Sequence, residues 1–494
     1  MANKFIITFM LLTLGYADVS FNYNGKFSHF FALRNSNNKI LNIPFRMIDL
    51  NTSMQLGYNF EVKSLLSAQY HNTIDDYFNT KNISGEVREL YGTYYFNSGE
   101  ISFGRKLFTL GSVDENSPID HFNPYNYYYL LIGGLDKKVS VDALSFDFYL
   151  GENYQISGAY SPNHNINHYP ENDPEYELSL PLTPTQYQFL DNKGSSHESF
   201  LSLKKSNLNN EFSLTYIRAF DRVFSLSGFT IHEFQGNNTF DEPDIWFSNR
   251  LTESINFGSV LLLNDITIRS DIGLFHSFDR YNRNDYLDLK DQIDIQLGSN
   301  FYNQLYDQMD IDGDGLNDLF NAALEEDAVY TQITLQAELP LPNDWQINTQ
   351  FFIYNLIDYS LVNYTFSDVS VTLPLATIDM NEVINEDGDY FTPGFGSSMA
   401  TLSQKSILFG IEKYMLDNNL KSTFTTFFDL DKGDGKLMSF ELEYEISNNI
   451  NLLFGSTKIF GDESIQPESD FDLGYTFNLM EDFSHNRIQL NYYF

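Results

Sequence analysis

The sequence predicts an all-β protein, an antiparallel transmembrane β-barrel of about eighteen strands with long loops at one end and short turns at the other. Three observations support this prediction. Polar and apolar residues alternate over many stretches, for example 438–446, and a period of two is typical of a strand with one polar and one apolar face. Long and short connections alternate along the chain. The final stretch, 486–494, alternates in the same way and ends on Phe494.

The N-terminus predicts a secretory signal peptide over residues 1–17. Lys4 precedes a short apolar stretch, 5–14, and Gly15 and Ala17 place small residues at the −3 and −1 positions of a cleavage site. The apolar stretch is much shorter than the roughly 20 residues that a spanning helix needs. The alternative, a buried N-terminal helix, is less consistent with these features. We therefore expect residues 18–494 to form a single barrel domain.

Composition narrows the class of protein. The 494 residues contain no cysteine, 33 tyrosines and 45 phenylalanines, with a net charge of −38 and a mean hydropathy of −0.31. Disulfides, zinc–thiolate sites and cysteine nucleophiles are therefore excluded. The negative charge argues against nucleic acid as a partner. No stretch of 18 apolar residues follows the signal peptide, so no helical span is expected, whereas the many aromatic residues suit the girdles of a membrane barrel.

Alternating stretches define eighteen predicted strands. They lie near residues 18–33, 48–60, 64–73, 86–97, 99–108, 138–150, 153–162, 197–207, 210–222, 252–263, 266–277, 328–340, 345–357, 403–415, 419–430, 435–447, 450–459 and 483–494. Two further stretches, 222–233 and 469–478, also have strand character, so the count lies between sixteen and twenty.

Loop length follows strand parity, as in bacterial outer-membrane barrels. Connections after odd strands are long and those after even strands are short, whereas a soluble β-sandwich has no reason to sort its loops in this way. An eighteen-stranded barrel is wide enough for an aqueous lumen. We expect one of two long loops to fold inward and narrow that lumen, either 109–137 or 278–327.

The final strand is expected to close the barrel. An unpaired amphipathic edge promotes aggregation, and the simplest partner for 486–494 is the first strand near 19–23. With that closure, Arg487 faces the lumen near the outer mouth and Phe494 lies in the periplasmic aromatic girdle.

Residues 86–137 contain motifs that resemble those of a known protein family. Gly104-Arg105 follows a hairpin, Leu110-Gly111 comes next, and Asp120-His-Phe-Asn-Pro124 forms a loop. This order resembles bacterial outer-membrane porins, in particular proteobacterial barrels akin to alginate-export channels, as does 478–485 before the last strand. Leu110 stands where that group is expected to have Trp. The resemblance implies an outer-membrane channel. Strand phase places Arg105 on the lipid side, at the extracellular rim, unless a bulge intervenes.

Ten charged residues are predicted to line the lumen, because charges that face water in a pore set its selectivity. By strand phase they are Asp147, Arg269, Asp271, Glu338, Glu412, Lys421, Glu441, Glu443, Glu445 and Arg487. Seven are acidic and three are basic, so we expect a modest preference for cations. The alternative for each residue is a solvated wall position without an individual role.

A calcium site is predicted in the loop 310–318. Asp310, Asp312, Asp314 and Asp318 lie in a short stretch containing Gly315, and closely spaced carboxylates in a tight turn can converge on Ca²⁺. Asn321 stands where an EF-hand has a bidentate Glu. The alternative is a solvated acidic turn. Calcium would order an outer loop, and no other cofactor is expected.

These features predict a porin in the outer membrane of a Gram-negative bacterium. It would pass small hydrophilic solutes or ions by diffusion, with outer-membrane lipid as its surroundings and either monomer or homotrimer as its state. The alternative is a surface-exposed binding or adhesion barrel with calcium-ordered loops and a plugged lumen. A soluble β-rich secreted protein is a third interpretation. No enzyme activity is predicted, because the nine histidines are scattered and no nucleophile elbow is evident.

Overall fold

The structure is a computed structural model of the whole chain. It describes residues 19–41, 43–71, 83–129, 137–168, 196–234, 239–240, 244–279, 319–363, 370–373, 376–379, 391–465 and 474–494. The predicted signal peptide, 1–17, and the predicted calcium turn, 310–318, lie outside the described residues.

Eighteen antiparallel strands form one closed barrel. In chain order, β1 to β18 are Val19–Arg34, Pro44–Leu56, Phe60–His71, Ile83–Phe96, Gly99–Lys106, Val141–Leu150, Tyr154–Ser161, Glu198–Ser206, Asn210–Phe220, Leu251–Leu263, Ile266–Phe278, Leu319–Leu341, Trp345–Asn363, Lys405–Met415, Leu420–Asp429, Lys436–Ser447, Ile450–Phe460 and His485–Tyr493. Each strand pairs with the next, and β18 pairs with β1 in the register Lys26↔Tyr493 to Arg34↔His485. The predicted fold class, strand count and closure are confirmed.

The remaining elements lie in the connections after odd strands. The stretch 222–233, predicted as a spare wall strand, contains the strand Ser225–Phe234, which pairs with Asp244–Ser248 and with the first residues of β12 outside the barrel wall. The strand Thr239–Phe240 extends this unit, and Ser370–Leu373 pairs with Ala376–Asp379. The second stretch with predicted strand character, 469–478, overlaps a short helix, Thr476–Met480, which is followed by the 3-10 turn Glu481–Phe483. Two further 3-10 turns are Tyr127–Tyr129 and Ser398–Thr401.

Short turns connect each even strand to the next strand, as predicted. The turn after β10 has Asn264 at φ 56°, and the turn after β12 has Asn343 and Asp344 at φ 65° and 60°. Asn and Asp tolerate this left-handed conformation better than other residues with a Cβ. We call this the short-turn end of the barrel and the opposite end the long-loop end.

The barrel is apolar outside and polar inside. On β18, Ile488, Leu490 and Tyr492 are 50%, 44% and 46% exposed, whereas Arg487 and Gln489 are buried. The same alternation runs around the wall. Large apolar side chains left in water would each cost about 1.5–3 kcal/mol relative to burial, so the outer belt requires an apolar surrounding. No helix in the described part of the chain is long and apolar enough to cross a membrane.

Two apolar clusters lie inside the barrel at the long-loop end. Cluster 1 lies inside β6–β13 and consists of Phe108, Phe122, Val141, Ala143, Ala159, Phe200, Ile217, Ala219, Phe275, Ala328, Tyr330, Phe352, Tyr354, Phe391 and Phe395. Cluster 2 lies inside β1–β3, β15 and β17 and consists of Phe30, Ala32, Leu41, Ile43, Phe45, Tyr70, Phe427, Ile459, Tyr475, Phe477, Met480 and Phe483. Each cluster joins wall residues to residues of a loop, so long loops fold into the lumen on both sides.

Candidate functional site: the lumen and its inward segments

The described parts of the connection after β5, residues 107–129 and 137–140, fold into the lumen, and we call them the inward loop. Its tip is fixed by Asp271 on β11, which is fully buried. The Asp271 carboxylate accepts hydrogen bonds from the backbone N–H groups of Ser112 (2.8 Å) and Val113 (3.0 Å) and from the Ser117 hydroxyl (2.6 Å). A buried carboxylate needs several donors of this kind. Of the two loops predicted to fold inward, 109–137 does so over its described residues, while most of 278–327 lies outside the described residues.

Gly111 permits the close approach of the tip to Asp271. Its φ is 85°, a conformation that residues with a Cβ rarely adopt. A Cβ at this position would overlap the Ser117 side chain and the Asp271 carboxylate. The Leu110-Gly111 pair noted in the sequence therefore marks the turn at which the loop meets the opposite wall.

The inner face of β12 forms hydrogen bonds with the inward loop and with a second segment that is described below. Thr334 donates to Asn116 O (2.8 Å), and Gln336 exchanges hydrogen bonds with Asp114, accepting from its N–H at 2.9 Å and donating to its carboxylate at 2.8 Å. On β13, Gln350 donates to Asp114 O (2.7 Å). Successive inward side chains on β12 therefore form a line of docking positions.

A second segment, residues 391–404 before β14, also enters the lumen, and we call it the outer segment. The Gln332 amide donates to Phe395 O (3.0 Å) and accepts from the Ser397 N–H (2.8 Å), so it pairs with this segment as a backbone amide would. The Ser397 hydroxyl donates to the Asn116 side chain of the inward loop. The rings of His121 and Phe395 lie 4.5 Å apart, edge to face. The two segments thus pack against each other.

Two buried arginines attach these segments to the wall. Arg222 makes a two-bond ion pair with Glu198, at 2.9 Å for each bond, and donates to Phe122 O at 2.7 Å. Arg250 donates to Asp221 (2.9 Å), to Glu326 (3.0 Å) and to Thr392 O (2.6 Å). Each guanidinium is neutralised by wall or rim carboxylates while it binds a carbonyl of an inward segment, which suits the planar donor pattern of arginine.

His121 is a neutral residue within this packing. Its Nδ1 lies 2.6 Å from Pro118 O and therefore donates to it. Burial lowers the pKa of His121 to about 3, because a buried imidazole resists becoming charged. Its charge does not change over the physiological range, so it does not make the lumen pH-sensitive.

Asp279, immediately after β11, supplies a pH-dependent contribution to stability. Removal from water, together with the Glu326 carboxylate, raises its pKa from 3.8 to about 7. Between those values the folded state binds more protons, so the free energy of unfolding should fall as the pH rises from about 4 to about 7. We expect Asp279→Asn to flatten this slope, measured as urea unfolding midpoints at pH 5 and pH 8. An unchanged difference between the two midpoints would contradict this assignment.

Cluster 2 closes the other side of the long-loop end. The Tyr475 hydroxyl donates to Asp429 Oδ2 at 2.6 Å, and the Gly435 N–H donates to Tyr475 at 3.0 Å. Arg34 at the end of β1 pairs with Asp482. These contacts hold the 474–484 connection against the hairpin that joins β15 and β16 and against the end of β1. Residues 430–435 form the turn of that hairpin.

Paired charges line the wall from β14 through β18 to β4, opposite the side filled by cluster 1. The ion pairs are Lys26–Asp49 (3.7 Å), Lys63–Glu61 (3.3 Å), Arg46–Glu86 (3.4 Å), Lys421–Glu412 (3.0 Å) and Arg487–Glu441. Because the inward loop crosses from β5 to β11–β13, this charged wall bounds the part of the lumen on the other side of the loop.

The ten predicted pore-lining residues occupy the inner face in different ways. Arg269 pairs with Glu338 at 2.7 Å, Asp147 accepts a hydrogen bond from Gln155 at 2.8 Å, and Asn451 donates to Glu443 at 2.6 Å. Glu445 is exposed at the short-turn end beside a bulge. Glu412, Lys421, Glu441 and Arg487 form the pairs given above. A role in conduction stays a prediction for all of them.

Strand phase correctly predicted the direction of two charged residues, Asp271 and Arg105. Asp271 points inward, but its carboxylate accepts hydrogen bonds from the inward loop and does not face water. Arg105 lies on the outer face at the end of β5, as strand phase indicated, and its guanidinium pairs with Asp142 at 3.1 Å. The four aspartates of the calcium prediction, Asp310, Asp312, Asp314 and Asp318, lie outside the described residues.

Sequence reasoning missed the residues at the tip of the inward loop. The Asp114 side chain is 56% exposed, and Glu115 is exposed with φ 61°. They are the acids that the loop presents to the lumen, and a loop without strand periodicity gives no phase from which to assign them. The proximity of Asp114 and Glu115 to the turn at Gly111 was the available signal.

Together, the lipid-type outer belt, the polar inner wall and the two inward segments define a membrane-spanning β-barrel with a narrowed lumen. Among solved structures the chain is similar to outer membrane protein OpdK of Pseudomonas aeruginosa (TM-score 0.46, 8% identity, covering 96% of this chain and 99% of that one). It is also similar to OccK2 of the same organism, solved in complex with glucuronate (0.47, 9%, 96% and 98%). A third similar structure is the trimer form of OmpT, an outer membrane protein of Vibrio cholerae (0.38, 8%, 96% and 99%).

These similarities concern the general architecture of the barrel. No protein-family model and no curated protein sequence matches the chain.

Proposed function

We propose that the protein is a porin of the bacterial outer membrane, which passes small hydrophilic solutes or ions by passive diffusion. The observation that carries the proposal is the inward loop, anchored at mid-wall by Asp271 inside a barrel whose inner face is polar and whose outer face is apolar. This arrangement narrows a water-compatible lumen at a defined level. Passive diffusion through it requires neither a catalytic group nor a cofactor.

A modest preference for cations is part of the proposal. Asp114 and Glu115 project from the loop tip, and the charged wall beyond them consists largely of ion pairs that neutralise each other. The Asp114 side chain is 56% exposed although Arg269 lies 4.0 Å away, and exposed acids at a constriction attract cations and repel anions. The net charge of −38 supports the same sign.

Calcium binding and the oligomeric state are two further proposals. Asp310, Asp312, Asp314 and Asp318 would hold Ca²⁺ and order the loop after β11, because clustered carboxylates require a counter-ion. The trimer is a form of OmpT, and both a monomer and a homotrimer are compatible with the present proposal.

Planar-bilayer recording on the purified protein tests the function. We expect discrete conductance steps and a reversal potential of cation-selective sign under a salt gradient. The same recording with and without calcium, compared with an Asp312→Asn/Asp314→Asn variant, tests the metal proposal. Folded protein that inserts into bilayers and shows no conductance at any voltage would overturn the porin assignment.

A second candidate function is a surface-exposed binding or adhesion barrel with a plugged lumen. The two apolar clusters at the long-loop end favour it, because they lie inside the barrel there. Shortening a long loop separates the two candidates. A porin should then change conductance or selectivity, whereas a binding barrel should lose its partner and stay non-conducting.

A further inference from the structure

Three lysines lie on the outer face of the barrel at the long-loop end. Lys405 and Lys436 are the first residues of β14 and β16, and Lys458 lies near the end of β17. Their chain neighbours Ser406 and Ile459 are buried in the lumen. Because successive side chains of a strand point to opposite faces, the three lysines point away from the lumen. We call them the outer lysine group.

Lys436 and Lys458 lie close together on the adjacent strands β16 and β17, and Lys405 lies on β14, with β15 between it and β16. Lys436 is paired with Phe460, and Lys458 is paired with Met438. The ammonium groups of Lys436 and Lys458 lie 4.9 Å and 5.2 Å from the centre of the Phe460 ring. The Leu430 N–H donates to Lys405 O at 2.8 Å, which joins β14 to the β15–β16 hairpin. One aromatic ring thus holds two of the three positive charges in place.

The group differs from other charged positions on this outer rim. Arg105 pairs with Asp142 at 3.1 Å, Arg218 pairs with Glu253 at 3.6 Å, and His276 lies 3.0 Å from Asp327. Within the described part of the chain, no carboxylate lies within 4.0 Å of the outer lysine ammonium groups. The outer lysine group therefore consists of cations that lack an ion-pair partner among the described residues, in a protein with a net charge of −38.

An apolar surface continues directly below the lysines. Phe428, Phe440 and Phe454 on β15, β16 and β17 are 37%, 37% and 41% exposed on the outer face. Charged groups on the outer face of a barrel are tolerated near the level of the lipid headgroups and are costly in the hydrocarbon region. The lysines therefore mark the headgroup level, and the phenylalanines lie where acyl chains run.

We propose that the outer lysine group binds the phosphate of an anionic lipid headgroup in the leaflet at the long-loop end. Ammonium groups form charge-assisted hydrogen bonds with phosphate oxygens, and flexible lysines can adapt to a headgroup of any orientation. The acyl chains of the same lipid would pack on Phe428, Phe440 and Phe454. This site is separate from the lumen, so it does not depend on the protein acting as a channel.

The test is lipid retention by the intact barrel, measured by native mass spectrometry from detergent containing added lipid. The probes are a lipid with a phosphate monoester headgroup, phosphatidic acid, and a zwitterionic lipid, phosphatidylcholine. We expect preferential retention of phosphatidic acid by the native protein. Lys405→Gln/Lys436→Gln/Lys458→Gln should weaken that retention by about tenfold or more, since each lysine near an anionic headgroup contributes substantially to binding.

Matched controls keep the result interpretable. Arg105→Gln/Arg218→Gln removes two rim cations that already have acidic partners and should leave retention unchanged, and heat-modifiable gel migration reports folding of both variants. Equal retention of the two lipids by the native protein, or full retention of phosphatidic acid by the folded triple variant, would overturn the proposal. Displacement of the lipid by millimolar inorganic phosphate would also do so, because it would identify a site for free anions.

Discussion

Replacing Asp271 by alanine is expected to release the tip of the inward loop. The Asp271 carboxylate accepts from two backbone N–H groups and from the Ser117 hydroxyl, and these donors would be left without their acceptor. An unsatisfied buried donor costs about 1–3 kcal/mol. We therefore expect a loss of about 3 kcal/mol in the free energy of unfolding and conductance steps that are larger and noisier, recorded in planar bilayers. Asp271→Asn should have a stability and a conductance between those of the native protein and Asp271→Ala. Its amide oxygen replaces one carboxylate oxygen as an acceptor, whereas its NH₂ group faces a donor.

Asp147→Ala is the matched control for this prediction. Asp147 also lies on the inner wall, but it accepts from Gln155 and Ser157 on the neighbouring strand and touches no inward segment. It should change stability slightly and leave the noise of the conductance steps unchanged, whereas the size of the steps reports its predicted place in the pore lining. Equal changes in the noise of the steps in the Asp147 and Asp271 variants would show that the loop is not held by Asp271.

Reversing the charge at the loop tip is expected to reverse the ion preference. A unit charge about 6 Å from a permeating ion in water contributes about 0.7 kcal/mol, and Asp114→Lys/Glu115→Lys changes four unit charges. The reversal potential under a salt gradient should therefore change sign. Glu115→Lys alone should shift it about half as far, and this variant retains the Asp114 hydrogen bonds to Gln336.

Glu152→Lys provides the matched charge change away from the constriction. Glu152 is exposed in the short turn between β6 and β7, and its replacement should leave the reversal potential close to that of the native protein. If Glu152→Lys and Glu115→Lys shift the potential equally, selectivity depends on the overall charge and the tip has no special part in it.

The wall of the barrel could be predicted from the sequence because each strand is determined by the alternation of residues that are neighbours in the chain. In β18, the alternation of Arg487, Gln489 and Asn491 with Ile488 and Leu490 fixes which face is apolar, and the barrel must pair this strand with β1. The parity of loop lengths then gives the direction of every strand. All eighteen predicted wall strands overlap an observed wall strand, although several of their ends differ by a few residues.

The lumen could be predicted only in part because its contacts are distant in the chain. Strand phase correctly predicted that Asp271 points inward. Its hydrogen bond to Ser112 spans 159 residues, however, and nothing in the local sequence of β11 indicates that partner. The apolar residues Phe122 and Phe395 lie in loops without periodicity, so their meeting in cluster 1 could not be read from pattern. The stretch 222–233 has the alternation of a wall strand, but its pairing partners lie outside the barrel.

The docking line on β12 has a consequence for the order in which the protein assembles. Thr334 and Gln336 hold the inward loop, and Gln332 holds the outer segment, so neither segment has its partners until β12 is in register. Contacts between residues far apart in the chain form after the intervening chain is ordered. The first five strands can therefore be in place while the inward loop is still undocked, and the constriction is complete only once β12 is paired.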